Sequence, residues 1–239
     1  MLGSFLKKLS VLLFVLFLLE GCTQTRTLLK EPKAIHRAGT ARVLLMPMEI
    51  ELAELTVGGL WGPKADWTEA AKTYLAQAVE EQLSVRGALV VRYRPPTEDH
   101  EKAHQHHQLI KLHNAVGSEI IRAKYGSNYE LPTKRGKFDW TLGRDVNVLR
   151  EDYAADYALF LFVRDSYATT ERKLLSLVLT GLLLFPVTPG GSQVAFASLV
   201  NLRDGDIEWF NRLVSYTGDL RDQRSAQKTV SELLAKLPL

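Results

Sequence analysis

The sequence predicts an α/β fold: a mixed sheet with a βαβ opening, flanking helices, and a C-terminal β-hairpin followed by a helix. Three observations predict it. Residues 42–93 alternate strand, helix and strand patterns, the order that pairs two parallel strands through a crossover helix. Residues 156–163 form a continuous apolar run, as expected of a central strand covered on both faces. Asp204 and Gly205 join two alternating runs, 193–202 and 207–214, which is a strong hairpin signal.

Along the domain, residues 42–48 read as a short buried strand whose pairing Pro47 limits, because proline has no N–H to donate. Residues 49–57 alternate acidic and aliphatic side chains and suit an exposed strand or a strand extension, broken by Gly58, Gly59, Gly62 and Pro63. Asp66 with Glu69 three positions on offers a helix N-cap resembling a capping box. The helix runs to about Arg86 on a stripe of Ala71, Tyr74, Leu75, Ala78, Val79 and Leu83, and Gly87 stops it. A second strand over 88–93 closes at Pro95 and Pro96. A long helix over 98–124 places Leu109, Val116 and Ile120 on one line, with Gly117 a tolerated weak point. Residues 125–140 are irregular, 144–152 form a short helix, and the chain closes with a helix over 222–237.

Composition is that of an ordinary soluble domain, 46% hydrophobic and 24% charged, and a net charge of +3 makes no electrostatic case for nucleic acid. The expected division is a signal peptide over 1–21, a modified cysteine and tether over 22–40, and a single α/β domain over 41–239. Lys7 and Lys8 precede an apolar run over 9–19, which is too short to span a membrane as a helix. Leu19, Glu20, Gly21 and Cys22 end it. Residues 23–40 are polar and read as a tether without periodicity.

The Leu19 to Cys22 ending resembles a bacterial lipoprotein signal, with leucine three before the cysteine and a small residue just before it. Glu20 departs from the pattern, which favours a small or aliphatic side chain there. The resemblance implies a covalent lipid on Cys22. Thr23 stands where the family's inner-membrane retention signal has aspartate, which implies an outer-membrane anchor facing the periplasm. The element order of the rest, with its βαβ opening, apolar insert and late hairpin, resembles the periplasmic α/β lipoproteins related to the curli secretion channel. Such proteins act by assembling in the envelope, and some insert segments into the outer membrane.

Cys22 is the sole cysteine, so neither an intrachain disulfide nor a multi-cysteine metal site is available. His100, His104 and His107 fall at i, i+4 and i+7, which on a helix projects them within about 60° of each other. Three imidazoles on one face are a possible Zn²⁺ site, set against the plainer reading of a solvated face among Asp99, Glu101, Lys102 and Gln105. His113 shares the apolar stripe and reads as a packed, neutral histidine. Trp61 and Trp67 flank a glycine turn that lacks any phosphate-loop spacing and form a possible binding loop. Arg164, Asp165, Ser166 and Tyr167 follow the central strand, where turn or strand-end capping explains them.

Residues 174–187 are nearly all apolar. Leu174, Leu175, Leu177, Val178, Leu182, Leu183, Leu184 and Phe185 there read as a buried helix or as a contact with membrane or partner. The expected function is therefore a non-catalytic envelope lipoprotein that binds a protein partner or its own copies in support of export or surface assembly. No catalytic set is recognisable, and covalent lipid is the one expected prosthetic group. A periplasmic metal-binding protein or metal-dependent enzyme using the three histidines is the alternative.

Overall fold

The computed structural model describes residues 23–30, 41–126, 131–134, 136–183 and 191–239, with backbone alone for 177–183. Its frame is a mixed sheet of eight strands: β1 (Gln24–Leu29), β2 (Arg42–Leu45), β3 (Glu49–Leu55), β4 (Trp61–Pro63), β5 (Leu89–Arg92), β6 (Tyr157–Ala168), β7 (Gln193–Asn201) and β8 (Ile207–Ser215). The helices are α1 (Ala65–Val85), α2 (His100–Tyr125), α3 (Asn147–Tyr153), α4 (Thr170–Leu183) and α5 (Gln223–Leu233). The strand order is β1-β8-β7-β6-β2-β5, which confirms the α/β class with its parallel βαβ opening and its late hairpin.

The twelve-residue β6 runs through the centre, and two short strands share one of its edges. β2 pairs in parallel with Tyr157, Ala158 and Leu159, and β3 pairs in parallel with the stretch from Phe162 to Ala168. Pro47 lies in the step between them, where a residue without an N–H leaves no ladder bond unmade. β3 is therefore a strand extension, but a half-buried one rather than an exposed one, with Ile50, Leu52 and Ala53 in the core. The other edge of β6 takes β7, antiparallel, and β8 follows.

Two apolar cores cover the two faces. On one, Leu75, Val79 and Leu83 of α1 meet Ala226, Val230 and Leu233 of α5 over Leu159, Leu161 and Val163. On the other, Leu109 and Ile120 of α2 with Val146 and Leu149 cover Phe160, Phe196 and Phe210. Strands buried on both faces need such continuous apolar runs, which is why residues 156–163 are legible as the centre.

Local chemistry explains the ends of the helices. At the C-terminus of α1, Gly87 adopts φ 78° and donates to the Ser84 carbonyl, while Ala88 donates to Leu83, the paired bonds of a Schellman stop. The expected capping box does not form. The N-cap is Lys64, Asp66 lies inside the first turn, and the Thr68 hydroxyl bonds the Lys64 carbonyl and the Leu52 N–H instead. Asp99 and Asp222 do cap α2 and α5, accepting from the N–H groups of Lys102 and Ser225.

The tether expected over 23–40 is corrected in its first part. Gln24–Leu29 is an edge strand, antiparallel to β8 from Gln24↔Val214 to Leu29↔Trp209. Its first three side chains are exposed, Leu28 and Leu29 pack against the two cores, and backbone bonds hold it. The Tyr125 hydroxyl donates to the Arg26 carbonyl at 2.6 Å, and Arg26 donates to the Lys124 carbonyl at 3.0 Å, so α2 also grips it. Residues 1–22 and 31–40 lie outside the described residues.

Gly117 is a requirement rather than a weak point. A Cβ there would lie 2.6 Å from Cε2 of Phe196, whose ring is held between Phe162 and Phe210 at centroid distances of 4.8 and 5.3 Å. On propensity alone Gly117→Ala gains roughly 1 kcal/mol. Because the stacked ring has nowhere to swing, overpacking of about 1–3 kcal/mol outweighs that gain, and urea unfolding is expected to show the variant less stable than the parent.

Candidate functional site

The strand registers bring one end of the sheet together from five directions. The row Gln24–Val214–Val194–Arg164–Glu51 runs across β1, β8, β7, β6 and β3, and beyond it lie the end of β8, the start of β7 and the last residues of β6. Asp165, Ser166, Gln193, Ser215 and Asp219 line a cavity of about 250 Å³ there.

The cavity floor is a buried polar network. Tyr167 donates its hydroxyl to Asp165 at 2.5 Å and accepts the Leu220 N–H at 2.7 Å. Gln193 donates from Nε2 to the same Asp165 oxygen at 3.1 Å and accepts from Thr229 of α5 at 3.1 Å. Asp165, Gln193 and Thr229 are all buried. Burial pushes the Asp165 carboxyl up to about 6, against the downward pull of its bonds from Tyr167, Gln193 and the Ser166 backbone. At the rim, Arg221 pairs with Asp219 at 2.7 Å, which lowers the Asp219 carboxyl, and its guanidinium lies 4.1 Å from the Tyr167 ring centroid. These bonds fasten α5 and the 215–222 segment to the sheet.

These residues are where the sequence reading needs correction. Arg164, Asp165, Ser166 and Tyr167 are not a turn but the outer half of β6, with Asp165 and Tyr167 on the same face as Leu161 and Val163. The available signal is the period-2 pattern continuing past Val163, which places a carboxylate on a core-facing position.

The apolar surroundings of this end are exposed. Leu60 is 72% exposed, Tyr216 71% and Leu174 58%, and Val57, Trp61 and Leu175 are exposed as well. Leu174 and Leu175 belong to the described start of α4, so this part of the apolar 174–187 stretch is not buried, although Ser176 is. Leu177, Val178, Leu182 and Leu183 lie where only the helix backbone is described, and Leu184 and Phe185 lie outside the described residues, as does Cys22. Among the described residues no helix is long and apolar enough to cross a membrane.

The two tryptophans divide. The Trp61 indole is exposed and donates to Glu51 at 3.1 Å. Trp67 is half-buried, edge-on to Tyr167 at 5.7 Å, with Arg221 4.7 Å from its centroid, and so supports the network.

His100, His104 and His107 all lie on the exposed side of α2, and His104 lines a groove of about 510 Å³ with Asp145. Among the described residues no group of three or more His, Cys, Asp or Glu side chains converges to hold a metal ion. The buried histidines are His106, 3.1 Å from Asp152, and His113, whose Nε2 lies 2.6 Å from the Ser198 hydroxyl and whose ring stacks 4.0 Å over Phe160. Burial lowers both, His113 to about 4. His113 is thus the packed, neutral histidine that its place on the stripe implies.

The sequence matches no protein-family model and no curated protein sequence. Among solved structures, the chain is similar to a dodecamer of a PelC point variant from Paraburkholderia phytofirmans, 13% identical over 92% of this chain and 97% of that one, with a TM-score of 0.39. A PelC dodecamer from the same organism is 11% identical over 90% and 96%, with a TM-score of 0.37. The LpoB C-terminal domain from Salmonella enterica is 12% identical over 76% and 86%, with a TM-score of 0.28. Likeness at this level carries no argument about function.

The buried acid and the buried histidine oppose each other in acid. His113, depressed from 6.5 to about 4, contributes stability that is complete above pH 6.5 and is lost as the pH falls toward 4. Asp165, raised from 3.8 to about 6, contributes stability that is complete below 3.8 and is lost as the pH rises through 6. Asp165→Asn keeps an acceptor for Tyr167 and cannot ionise. Relative to the parent it is expected to gain on the order of 2–3 kcal/mol between pH 4 and pH 7 in urea titrations. A difference between the two proteins that does not change with pH would remove Asp165 from this account.

Proposed function

We propose that this protein is a non-catalytic lipoprotein of the cell envelope, anchored through Cys22 and acting by binding or assembly in the periplasm in support of export or surface assembly. The observation that carries the reading is the Leu19 to Cys22 ending of the leader, which stands two residues before the first strand of the sheet. A lipid on Cys22 would join the folded domain with no slack between. Thr23 already bonds Ser215 through its hydroxyl at 3.3 Å.

The non-catalytic part rests on the polar cluster. A general base or nucleophile needs a free lone pair or proton facing a reactant. Asp165 here accepts from Tyr167 and Gln193, Tyr167 accepts the Leu220 N–H, and Gln193 accepts from Thr229. That is the arrangement of a structural clamp. Thr23, in the place of the retention aspartate, favours the outer membrane and a domain facing the periplasm. Its partner is then a neighbouring envelope protein or further copies of this chain.

Metabolic labelling of cells with a fatty-acid analogue tests the anchor. The parent chain is expected to take up label and to fractionate with membranes, and Cys22→Ser to take up none. Label persisting in Cys22→Ser would overturn the proposal.

A further inference from the structure

Among the described residues nine large apolar side chains are exposed: Val85, Leu89 and Leu112 lie on α1, β5 and α2, and the other six gather at one end of the sheet. Val57, Leu60 and Trp61 occupy the turn from β3 into β4, Leu174 and Leu175 the first turns of α4, and Tyr216 the residue after β8. All six lie beyond the same end of the sheet, since Leu55 is in register with Ala168 on β6, and β8 ends beside the start of β7. Hydrogen bonds fix the display. The Thr56 N–H bonds the Leu60 carbonyl at 3.1 Å, the Thr169 N–H bonds Leu55 at 3.1 Å, and the Arg172 guanidinium donates to the Thr56 carbonyl at 2.9 Å. The turn and the start of α4 therefore form one surface rather than two independent projections. Larger contiguous apolar surfaces on a folded domain mark places where something else covers them.

The path of the chain says what covers this one. β1 begins at Gln24 in the register row at this very end, so residues 1–22 depart from it. They carry the apolar run 9–19 and Cys22. Two residues reach about 7 Å at most, so a lipid on Cys22 brings the bilayer to this end of the sheet and to no other. An apolar run left in place would do the same. We infer that the turn bearing Leu60 and Trp61, the start of α4 at Leu174 and Leu175, and Tyr216 form a membrane-docking surface that seats the sheet end-on in the lipid interface.

The chemistry of the surface suits that occupant. Trp61 and Tyr216 present amphipathic rings of the kind that concentrate at headgroup depth, and Lys173, exposed beside Leu174, supplies a cation for anionic lipid. With no described helix long enough to span, the contact is interfacial. This inference deepens the anchoring proposal and rests on it for the position of the bilayer, but it is read by a separate signal.

The experiment uses the full chain in vesicles of phosphatidylethanolamine and phosphatidylglycerol, part of whose acyl chains are brominated to quench tryptophan. Trp140 and Trp209 are buried and Trp67 is half-buried, so contact quenching reports on Trp61. Quenching is expected in the parent, and Trp61→Phe should lose about half of it or more, as expected for a ring at the boundary of headgroup and acyl chain. Leu60→Asp combined with Leu174→Asp should reduce it likewise, with circular dichroism and acyl labelling unchanged. Parent protein that is acylated and vesicle-bound, yet quenched no more than Trp61→Phe, would overturn the docking surface and leave the anchor standing; a protein partner or second copy on this end gives that result. Quenching by an unlabelled chain would support the surface and refute the lipid on Cys22.

Discussion

The structure depends on keeping one twelve-residue strand paired along both edges while burying both of its faces. β6 meets that demand with β7 on one side and with two offset strands, β2 and β3, on the other. A buried backbone group without a partner costs about as much as a lost hydrogen bond, so the step between β2 and β3 falls at Met46–Met48, where Pro47 has no N–H to strand. Met46 still donates to the Leu159 carbonyl at 3.0 Å before the chain shifts outward. The outer half of β6 exists because β3 pairs with it, and the polar network, the start of α4 and the exposed turn all hang from that half.

The fold was legible wherever burial writes itself into apolar period. The stripe of α1, the continuous run of β6 and the Asp204 and Gly205 hairpin are patterns that only one local structure satisfies. β1 is not legible in the sequence, because an edge strand is held largely by its backbone and Gln24, Thr25 and Arg26 stay in solvent. Its traces are threonine at every second position, Thr23, Thr25 and Thr27, a β-favouring choice, and the pair Leu28 and Leu29, which pack on opposite cores but are too few to show a period. Gly117 escapes a local reading for the converse reason: its importance lies in Phe196, a residue far along the chain, and no local pattern encodes that approach.

Histidine shows the same limit at the level of a site. Spacing selects His100, His104 and His107 as a set, yet the burial of α2 falls on His106, Leu109, His113 and Ile120. The helix turns its apolar stripe inward and takes with it the histidines that share the stripe, leaving the neatly spaced ones in solvent. Asp165 was hidden differently. A carboxylate after an apolar run looks like the end of a strand, although the period-2 pattern carries on past Val163 and the register with Leu52 and Gln193 places the acid inside it.

The distribution of polarity at this end of the sheet then acquires a meaning. Here Asp165, Gln193, Ser215 and Thr229 are buried while Leu60, Leu174 and Tyr216 face outward. Burying polar groups is tolerable only because each is bonded, and the bonds tie β6, β7 and α5 into one rigid block. A contiguous apolar surface, unlike a single exposed side chain, marks a place that something else covers. A rigid polar interior behind an apolar exterior is what a protein needs to hold a fixed angle against a lipid surface. With β1 bound into the sheet from Gln24 onward, a lipid two residues upstream would set that angle rather than merely tether the domain.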